Sequence, residues 1–156
     1  MNPLDVLPSR PIIAGPEDRV WLHPAPGESL AVLVASTYVE GACTVLESIA
    51  APMSGPPLHV HEADDEAVHV IEGTLRFRCG TNKFDAPSGT SVRIPRGLVH
   101  AWQNLSDTPT RALVTFTPGR MERLFEAMEG RSLPEIERLA ARFKTFILGP
   151  PIGFDR

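Results

Sequence analysis

Residues 58–73, LHVHEADDEAVHVIEG, contain three of the five histidines in this chain of 156 residues. Two of them, His59 and His61, are separated by a single residue. In a β-strand, residues i and i+2 project from the same face, about 6.5–7 Å apart along the strand. The pair therefore predicts a strand that aims two imidazoles at one point. A His-x-His pair is common at protein surfaces, so a metal site needs further ligands from elsewhere in the chain.

A carboxylate in the same stretch has the right position to join the two histidines. Glu66 follows a short acidic loop and begins the next strand, where Val68 and Val70 share its parity. If the valines face the interior, Glu66 faces it as well. His69 has the opposite parity and is expected to point away from the site. The other acids of the loop are expected to face solvent: Glu62, Asp64 and Asp65.

A fourth candidate ligand lies downstream, in GTSVRIPRGLVHAWQN at residues 89–104. The turn at Pro95–Gly97 ends one strand, and His100 opens the next, which can bring it level with the histidine pair. His23, the fifth histidine, lies between proline-rich segments without such a context. Three imidazoles and a carboxylate suit Fe, Mn, Ni, Co or Zn as a divalent ion, and the sequence does not choose among them.

Short apolar runs separated by proline and glycine turns fill the chain up to Pro118 and predict an antiparallel sandwich or barrel. The predicted strands are 30–39, 42–50, 67–71, 74–79, 91–94, 99–104 and 111–117, with one more around Arg19–Leu22.

Two helices are predicted after the strands. Met121, Leu124, Phe125 and Met128 follow the i, i+3, i+4, i+7 pattern, and Gly130 ends that helix. Ser132 and Glu135 form a predicted capping box for a second helix. Its apolar stripe runs to the turn at 149–151: Leu133, Ile136, Leu139, Ala140, Phe143 and Ile147. The chain is thus expected to form one domain, with an arm at 1–28, a barrel at 29–118 and a helical extension at 119–156.

The composition excludes several classes of partner. A net charge of −4 and a pI of about 5.7 argue against nucleic acid, because phosphate binding requires a basic surface. No apolar run is long enough to span a membrane, and residues 1–15 lack the pattern of a signal peptide. We therefore expect a cytoplasmic protein.

Together, the two histidine stretches resemble the two cupin motifs. The first motif is matched by His59, His61, Glu66 and Gly73, although Met53 stands where the motif begins with glycine. The second is matched at every position: Gly89, Pro95, Gly97, His100 and Asn104. Segments 55–61, 65–73, 118–129 and 147–151 look like the quercetin-dioxygenase-like branch of small single-domain cupins.

The resemblance implies an all-β double-stranded β-helix, or jelly-roll barrel, which here would be followed by the two helices. It implies a homodimer and one divalent transition metal held by His59, His61, Glu66 and His100. In the dioxygenases of that branch the glutamate also takes a proton from the flavonol hydroxyl, so Glu66 is the candidate catalytic base.

The candidate walls of a substrate pocket follow from strand parity and aromatic character: Val68, Val70, Phe77, Trp102 and Phe116. The first expectation for function is an oxidoreductase, a metal-dependent dioxygenase of a flavonol-like or other enol-bearing small aromatic compound. The alternatives are a metal-dependent isomerase, cyclase or decarboxylase of a small metabolite, and a non-catalytic small-ligand-binding cupin. One fold hosts many chemistries, so the sequence leaves this choice open.

Overall fold

The computed structural model describes residues 11–154. Residues 1–10 of the predicted arm and the last two of the predicted extension lie outside this range. The strands are β1 (Trp21–Leu22), β2 (Glu28–Val34), β3 (Thr44–Ala50), β4 (Leu58–His61), β5 (Asp65–Glu72), β6 (Thr74–Cys79), β7 (Asn82–Pro87), β8 (Ser91–Ile94), β9 (His100–Gln103), β10 (Thr110–Thr117) and β11 (Thr145–Gly149). The α-helices are α1 (Met121–Met128) and α2 (Leu133–Arg142).

The strands form two antiparallel sheets. One has the order β1-β2-β3-β10-β5-β8 and the other β11-β4-β9-β6-β7. In each sheet a late strand lies between two early ones, β10 between β3 and β5 and β9 between β4 and β6, as in a jelly roll. The expected all-β double-stranded β-helix with two C-terminal helices is therefore confirmed.

The apolar core fills the space between the sheets. Along β5, Val68 and Val70 are buried while His69 between them is exposed, which is the alternation of a strand with one solvated face. Phe77 on β6 is fully buried in the same core.

Helix α1 is anchored to the first sheet by a buried carboxylate. Glu122 accepts hydrogen bonds from the Ser36 backbone N–H at 2.7 Å and from the hydroxyls of Ser36 and Thr44. Burial opposes ionisation of Glu122, but these hydrogen bonds lower its pKa overall. Helix α2 begins with the predicted capping box, in which the Ser132 backbone N–H donates to Glu135 at 2.9 Å.

The structure corrects three predictions of secondary structure. The strand predicted for 30–39 ends at Val34, and Ser36–Val39 form a 3-10 helix. Strand β7 was not predicted. The second helix ends at Arg142 and does not reach Ile147, because Lys144 adopts a positive φ of 53° and the chain turns into β11. Residues 145–148 alternate in burial and pair with β4, so they form an edge strand of the second sheet.

Among the helices of residues 11–154, none is both long enough and apolar enough to cross a membrane.

Candidate metal centre

Four side chains from three strands meet inside the barrel. His59 and His61 lie on β4, Glu66 is the second residue of β5, and His100 begins β9, where it is the direct cross-strand partner of His59. All four are buried, and each offers a ligand atom within 4.8 Å of the other three. The structure thus brings together the four residues that the two sequence motifs single out.

Each imidazole is oriented by a hydrogen bond on its outer nitrogen. Nδ1 of His59 lies 2.7 Å from the carbonyl of Pro57, and Nδ1 of His100 lies 2.8 Å from the carbonyl of Leu98. Nδ1 of His61 lies 2.8 Å from the hydroxyl oxygen of Thr145 on β11. A carbonyl only accepts, so Nδ1 carries the proton in His59 and His100, and Nε2 is the ring atom that each histidine turns toward the centre.

The inner atoms lie so close together that a hydrogen or a cation must lie between them. Nε2 of His59 lies 3.2 Å from Nε2 of His61. Oε2 of Glu66 lies 2.9 Å from Nε2 of His100 and 3.3 Å from Nε2 of His61. Lone pairs at these separations repel unless a proton or a cation lies between them. Three nitrogens and one carboxylate oxygen fit a divalent transition metal in both number and chemistry.

The electrostatics of the cluster favour a neutral His59 and an ionised Glu66, the forms in which these two groups coordinate a metal. Burial, followed by the charges of His100 and His61, lowers the pKa of His59 to about 3. Burial alone would raise the pKa of Glu66, but hydrogen bonds from His100 and His61 hold it well below its usual range. Burial disfavours the charged form of His100, yet its bond to Glu66 raises its pKa overall. A neutral His59 and an ionised Glu66 are ready to coordinate a cation.

The remaining histidines and loop acids lie away from the cluster, with one surprise. His69 is exposed and lies 2.8 Å from the hydroxyl of Ser91, as its parity predicts. Glu62 is exposed, as expected. Asp64, expected in solvent, is instead buried and pairs with Arg120 at 3.1 Å. Parity does not apply inside the loop between β4 and β5, which folds beneath the start of α1.

A cavity of ≈ 160 Å³ adjoins the cluster. His59, His61 and Glu66 lie on its wall, and apolar side chains of both sheets and both helices form most of the rest. Of the predicted pocket residues, Trp102 and Phe116 line this cavity. The other three are buried in the core but do not line the cavity: Val68, Val70 and Phe77.

The charge of the cavity wall is unusual. Among the described residues, no lysine or arginine lines it, and the carboxyl groups there are those of Glu66 and Glu28. Sequence reasoning missed Glu28, because it was placed in the N-terminal arm. It is the first residue of β2 and has the same inward parity as Leu30, and that alternation is the signal that could have identified it.

Comparison with protein families places the site within a recognised domain. Residues 47–116 match the model of the family described as Cupin domain. This segment runs from β3 to β10 and contains all four residues of the cluster. No curated protein matches the chain significantly in sequence.

Solved structures with the same fold include several cupins. KdgF from Halomonas sp. is 15% identical with a TM-score of 0.66, over 73% of this chain and 99% of that one. A cupin-superfamily sugar phosphate isomerase from Silicibacter pomeroyi is 26% identical with a TM-score of 0.53, over 60% and 61%. A mutant of Bacillus subtilis oxalate decarboxylase is 18% identical with a TM-score of 0.56, over 64% and 28%. This chain therefore spans less than two thirds of the second and third proteins. The domain match and these folds support the cupin superfamily.

Proposed function

We propose that the protein is a metal-dependent cupin dioxygenase of a small, mainly apolar compound that carries an enolic or phenolic hydroxyl. In this proposal His59, His61, Glu66 and His100 hold one divalent transition metal. The observation that carries the proposal is the position of the four-residue cluster on the wall of an apolar cavity without a cationic side chain. It adopts the chemistry of the quercetin-dioxygenase-like branch that the sequence resembles.

Each residue of the site would have a separate role in such a reaction. A bound metal supplies Lewis acidity, which lowers the pKa of a coordinated hydroxyl. Glu66 would accept the hydroxyl proton, the role that the glutamate has in the branch of cupins that the sequence resembles. Trp102 and Phe116 would hold the apolar body of the substrate, and the two helices would exclude water from the reacting end.

The charge of the cavity favours a neutral substrate over an anion. A carboxylate or phosphate ester is normally held by arginine or lysine, whose charge compensates its lost hydration. No such side chain lines this cavity within the described residues. This weakens the alternative of an oxalate-type decarboxylase or a sugar phosphate isomerase and favours an uncharged enol or phenol.

The size of the cavity favours a substrate smaller than a flavonol. Sites for drug-sized ligands usually have about 300–1,000 Å³, whereas this cavity has ≈ 160 Å³. A single ring with one or two oxygen substituents fits that space better than the three rings of quercetin. We therefore narrow the substrate class to single-ring or open-chain enolic compounds.

The second candidate is a non-catalytic small-ligand-binding cupin. Four protein ligands can close a tetrahedron around zinc, and closed zinc sites are usually structural. The donor set of His59, His61, Glu66 and His100 allows that arrangement.

Metal analysis and oxygen uptake separate these candidates. The purified protein is analysed for metal and then loaded in turn with Fe, Mn, Ni, Co and Zn. We expect oxygen uptake with a single-ring catechol or a small enolised diketone, slower uptake with quercetin, and none with zinc. Stoichiometric metal without uptake for any compound would favour the binding protein.

The ligand assignment has its own test, with a matched histidine as control. His59→Ala and His100→Ala are expected to lose bound metal, whereas the exposed His69→Ala should retain it. Full metal stoichiometry in both of the first two variants would refute the assignment.

We also propose a homodimer, as the family resemblance implies. Its support in the structure is the edge strand β11, on which Phe146 and Leu148 expose apolar side chains from one face. Sedimentation of the protein should give about twice the chain mass, and Phe146→Ser with Leu148→Ser should shift it toward the monomer. A wild-type monomer would refute the proposal.

A further inference from the structure

Glu28 is a buried carboxyl whose oxygen Oε1 has no partner. The residue is 9% exposed, and Oε1 makes no hydrogen bond to any residue of 11–154. A buried polar atom without a hydrogen bond is costly, and most such atoms in proteins are satisfied. Glu28 is one of the residues that line the inner cavity, so its side chain lies beside any ligand bound there.

Glu28 also lies where the inner cavity meets the outside. An open cleft of ≈ 470 Å³ lies on the surface beside the turn that precedes β2, and Glu28 lines this cleft as well. Pro24, Ala25 and Met128 are likewise shared by the cleft and the inner cavity. Glu28 therefore lies between the surface cleft and the inner cavity that adjoins the four-residue cluster.

Within the first sheet, Glu28 is separated from the strand that carries Glu66. Two strands, β3 and β10, lie between β2 and the strand of Glu66. The inner face of β2 beside Glu28 is apolar, because Leu30, two residues further along the strand, also lines the cavity. A ligand that meets both carboxyl groups thus needs two polar groups joined by an apolar body.

The protonation of Glu28 suits a hydroxyl partner. Burial, with a smaller contribution from the charge of Glu66, raises the pKa of Glu28 to about 7. Near neutral pH the carboxyl exists in both forms, so it can donate to a hydroxyl oxygen or accept from a hydroxyl hydrogen. A hydroxyl is the substituent that satisfies both forms.

We propose that Glu28 is a specificity-determining residue that hydrogen-bonds a hydroxyl of the substrate at the end remote from the metal cluster. The substrate would then be a small apolar body with an enolic or phenolic hydroxyl at one end and a second hydroxyl at the other. The hydroxyl at the end near the proposed metal rests on the proposed function. The contact of the second hydroxyl with Glu28 does not.

A matched pair of probes tests the contact. Benzyl alcohol and ethylbenzene have the same number of heavy atoms and differ in a terminal hydroxyl against a methyl group. Their Kd values are measured by titration of the full chain as purified. Methionine is similar in length to glutamate and has no polar hydrogen. In Glu28→Met, the ratio of the benzyl alcohol Kd to the ethylbenzene Kd should rise about tenfold over the wild-type ratio. For Glu28→Gln, which still donates and accepts, it should stay within about threefold.

Controls keep the outcome unambiguous. Glu62→Met, on the exposed face of the loop after β4, should leave the ratio unchanged. Glu28→Ala replaces Glu28→Met if the latter does not fold. A ratio within twofold of wild type in the apolar variant would overturn the proposal, as would the failure of both probes to bind wild type.

Repeating the titration after chelation separates this inference from the proposed function. If the ratio still depends on residue 28 but the protein holds no metal or consumes no oxygen, then the dioxygenase is wrong and the contact stands. If oxygen is consumed but the ratio of the two Kd values does not depend on residue 28, then the proposed contact with Glu28 is refuted and the dioxygenase stands.

Discussion

Glu28 and Glu66 lie on the wall of one cavity, yet their pKa values move in opposite directions. Glu66 is held ionised by hydrogen bonds from His61 and His100, which outweigh the effect of burial. Glu28 has no such bonds, so burial raises its pKa to about 7. Environments that shift the pKa values of two carboxyl groups in opposite directions are typical of sites that use one group as an anion and the other as an acid.

The raised pKa of Glu28 predicts how folding stability depends on pH. The unfolded group titrates near 4.5 and the folded group near 7, so the folded state binds more protons between these values. The contribution of Glu28 is therefore fully present below pH 4.5 and is lost as the pH rises to 7. The glutamine of Glu28→Gln carries no titrating group, so the unfolding free energy of this variant lacks the pH-dependent contribution of Glu28. The unfolding free energy of the variant minus that of wild type should therefore rise between pH 4.5 and 7 by on the order of 3 kcal/mol. Urea unfolding with a chelator at pH 4.5 and 7.5 measures this, and parallel pH profiles would contradict it.

Thr145 is expected to act on metal affinity through His61. Its hydroxyl lies 2.8 Å from Nδ1 of His61, and Thr145→Val removes that partner with little change in shape. Loss of such an outer hydrogen bond typically weakens metal binding about 10–100-fold. Competition with a chromophoric chelator measures the affinity. Thr115→Val, on β10 away from the cluster, is the control, and equal affinities for the two variants would show that Thr145 does not support the site.

The residues of the site differ in how far parity could predict them. Glu66 and His69 lie in regular strand, where alternate side chains face opposite ways, so both orientations followed from the sequence. Asp64 lies in a loop, where no period applies, and its burial depends on Arg120 from 56 positions away in the chain. Glu28 lies at the first position of a strand that the sequence placed two residues later.

At the scale of elements, Arg120 connects the helices to the barrel. Its guanidinium donates to Asp64 at 3.1 Å and to the carbonyl of Phe143 at 2.8 Å, just after α2 ends. It also lies over the ring of Phe143, 5.7 Å from the centroid. One side chain thus joins the β4–β5 loop, the start of α1 and the end of α2.

Removal of the Asp64 charge should loosen this connection. The Asp64 side chain is fully buried while that of Arg120 is 31% exposed, so the arginine regains some water when its partner is lost. Asp64→Asn should therefore cost about 2 kcal/mol, below the 3–5 kcal/mol of a fully buried pair. Urea denaturation measures the change, with the exposed Asp107→Asn as control. Similar stabilities for the two variants would mean that the pair does not hold the helices.

The last helix shows why element boundaries are harder to predict than element types. An apolar stripe with the period of a helix continues through Phe143 to Ile147, so the sequence extends α2 over both. The chain instead leaves the helix at Lys144, because residues 145–149 pair with the free edge of β4. A pairing with a strand about 85 positions earlier is a tertiary effect that local periodicity does not contain.

At the scale of the whole molecule, the barrel divides into a filled half and a half that holds the cavity. The run of short strands and the resemblance to the two cupin motifs made the overall fold predictable. Each motif covers two strands that lie in different sheets, β4 and β5 in the first motif and β8 and β9 in the second. Which inward side chains meet the cavity was not predictable, because parity separates inside from outside but does not give the depth along the barrel. Val68, Val70 and Phe77 accordingly lie in the core, whereas Trp102 and Phe116 reach the cavity.

Phe77 tests this division. It is fully buried and does not line the cavity, so Phe77→Ala should cost about 3–5 kcal/mol of unfolding free energy. The Kd of ethylbenzene should nevertheless stay within about twofold of wild type at a temperature where the variant is folded. Leu30→Ala, in the cavity wall, is the contrast and should change that Kd. A large change of the Kd in Phe77→Ala would show that the two halves are coupled.

The hydrogen bond between His61 and Thr145 joins residues 84 positions apart. On the ribosome His61 therefore emerges well before the hydroxyl that orients its ring, and all four side chains of the cluster emerge before β11. Until β11 pairs with β4, the ring of His61 can rotate, and the nascent barrel should hold a metal less tightly than the finished one. We therefore expect tight metal binding at the proposed site only after this long-range contact has formed.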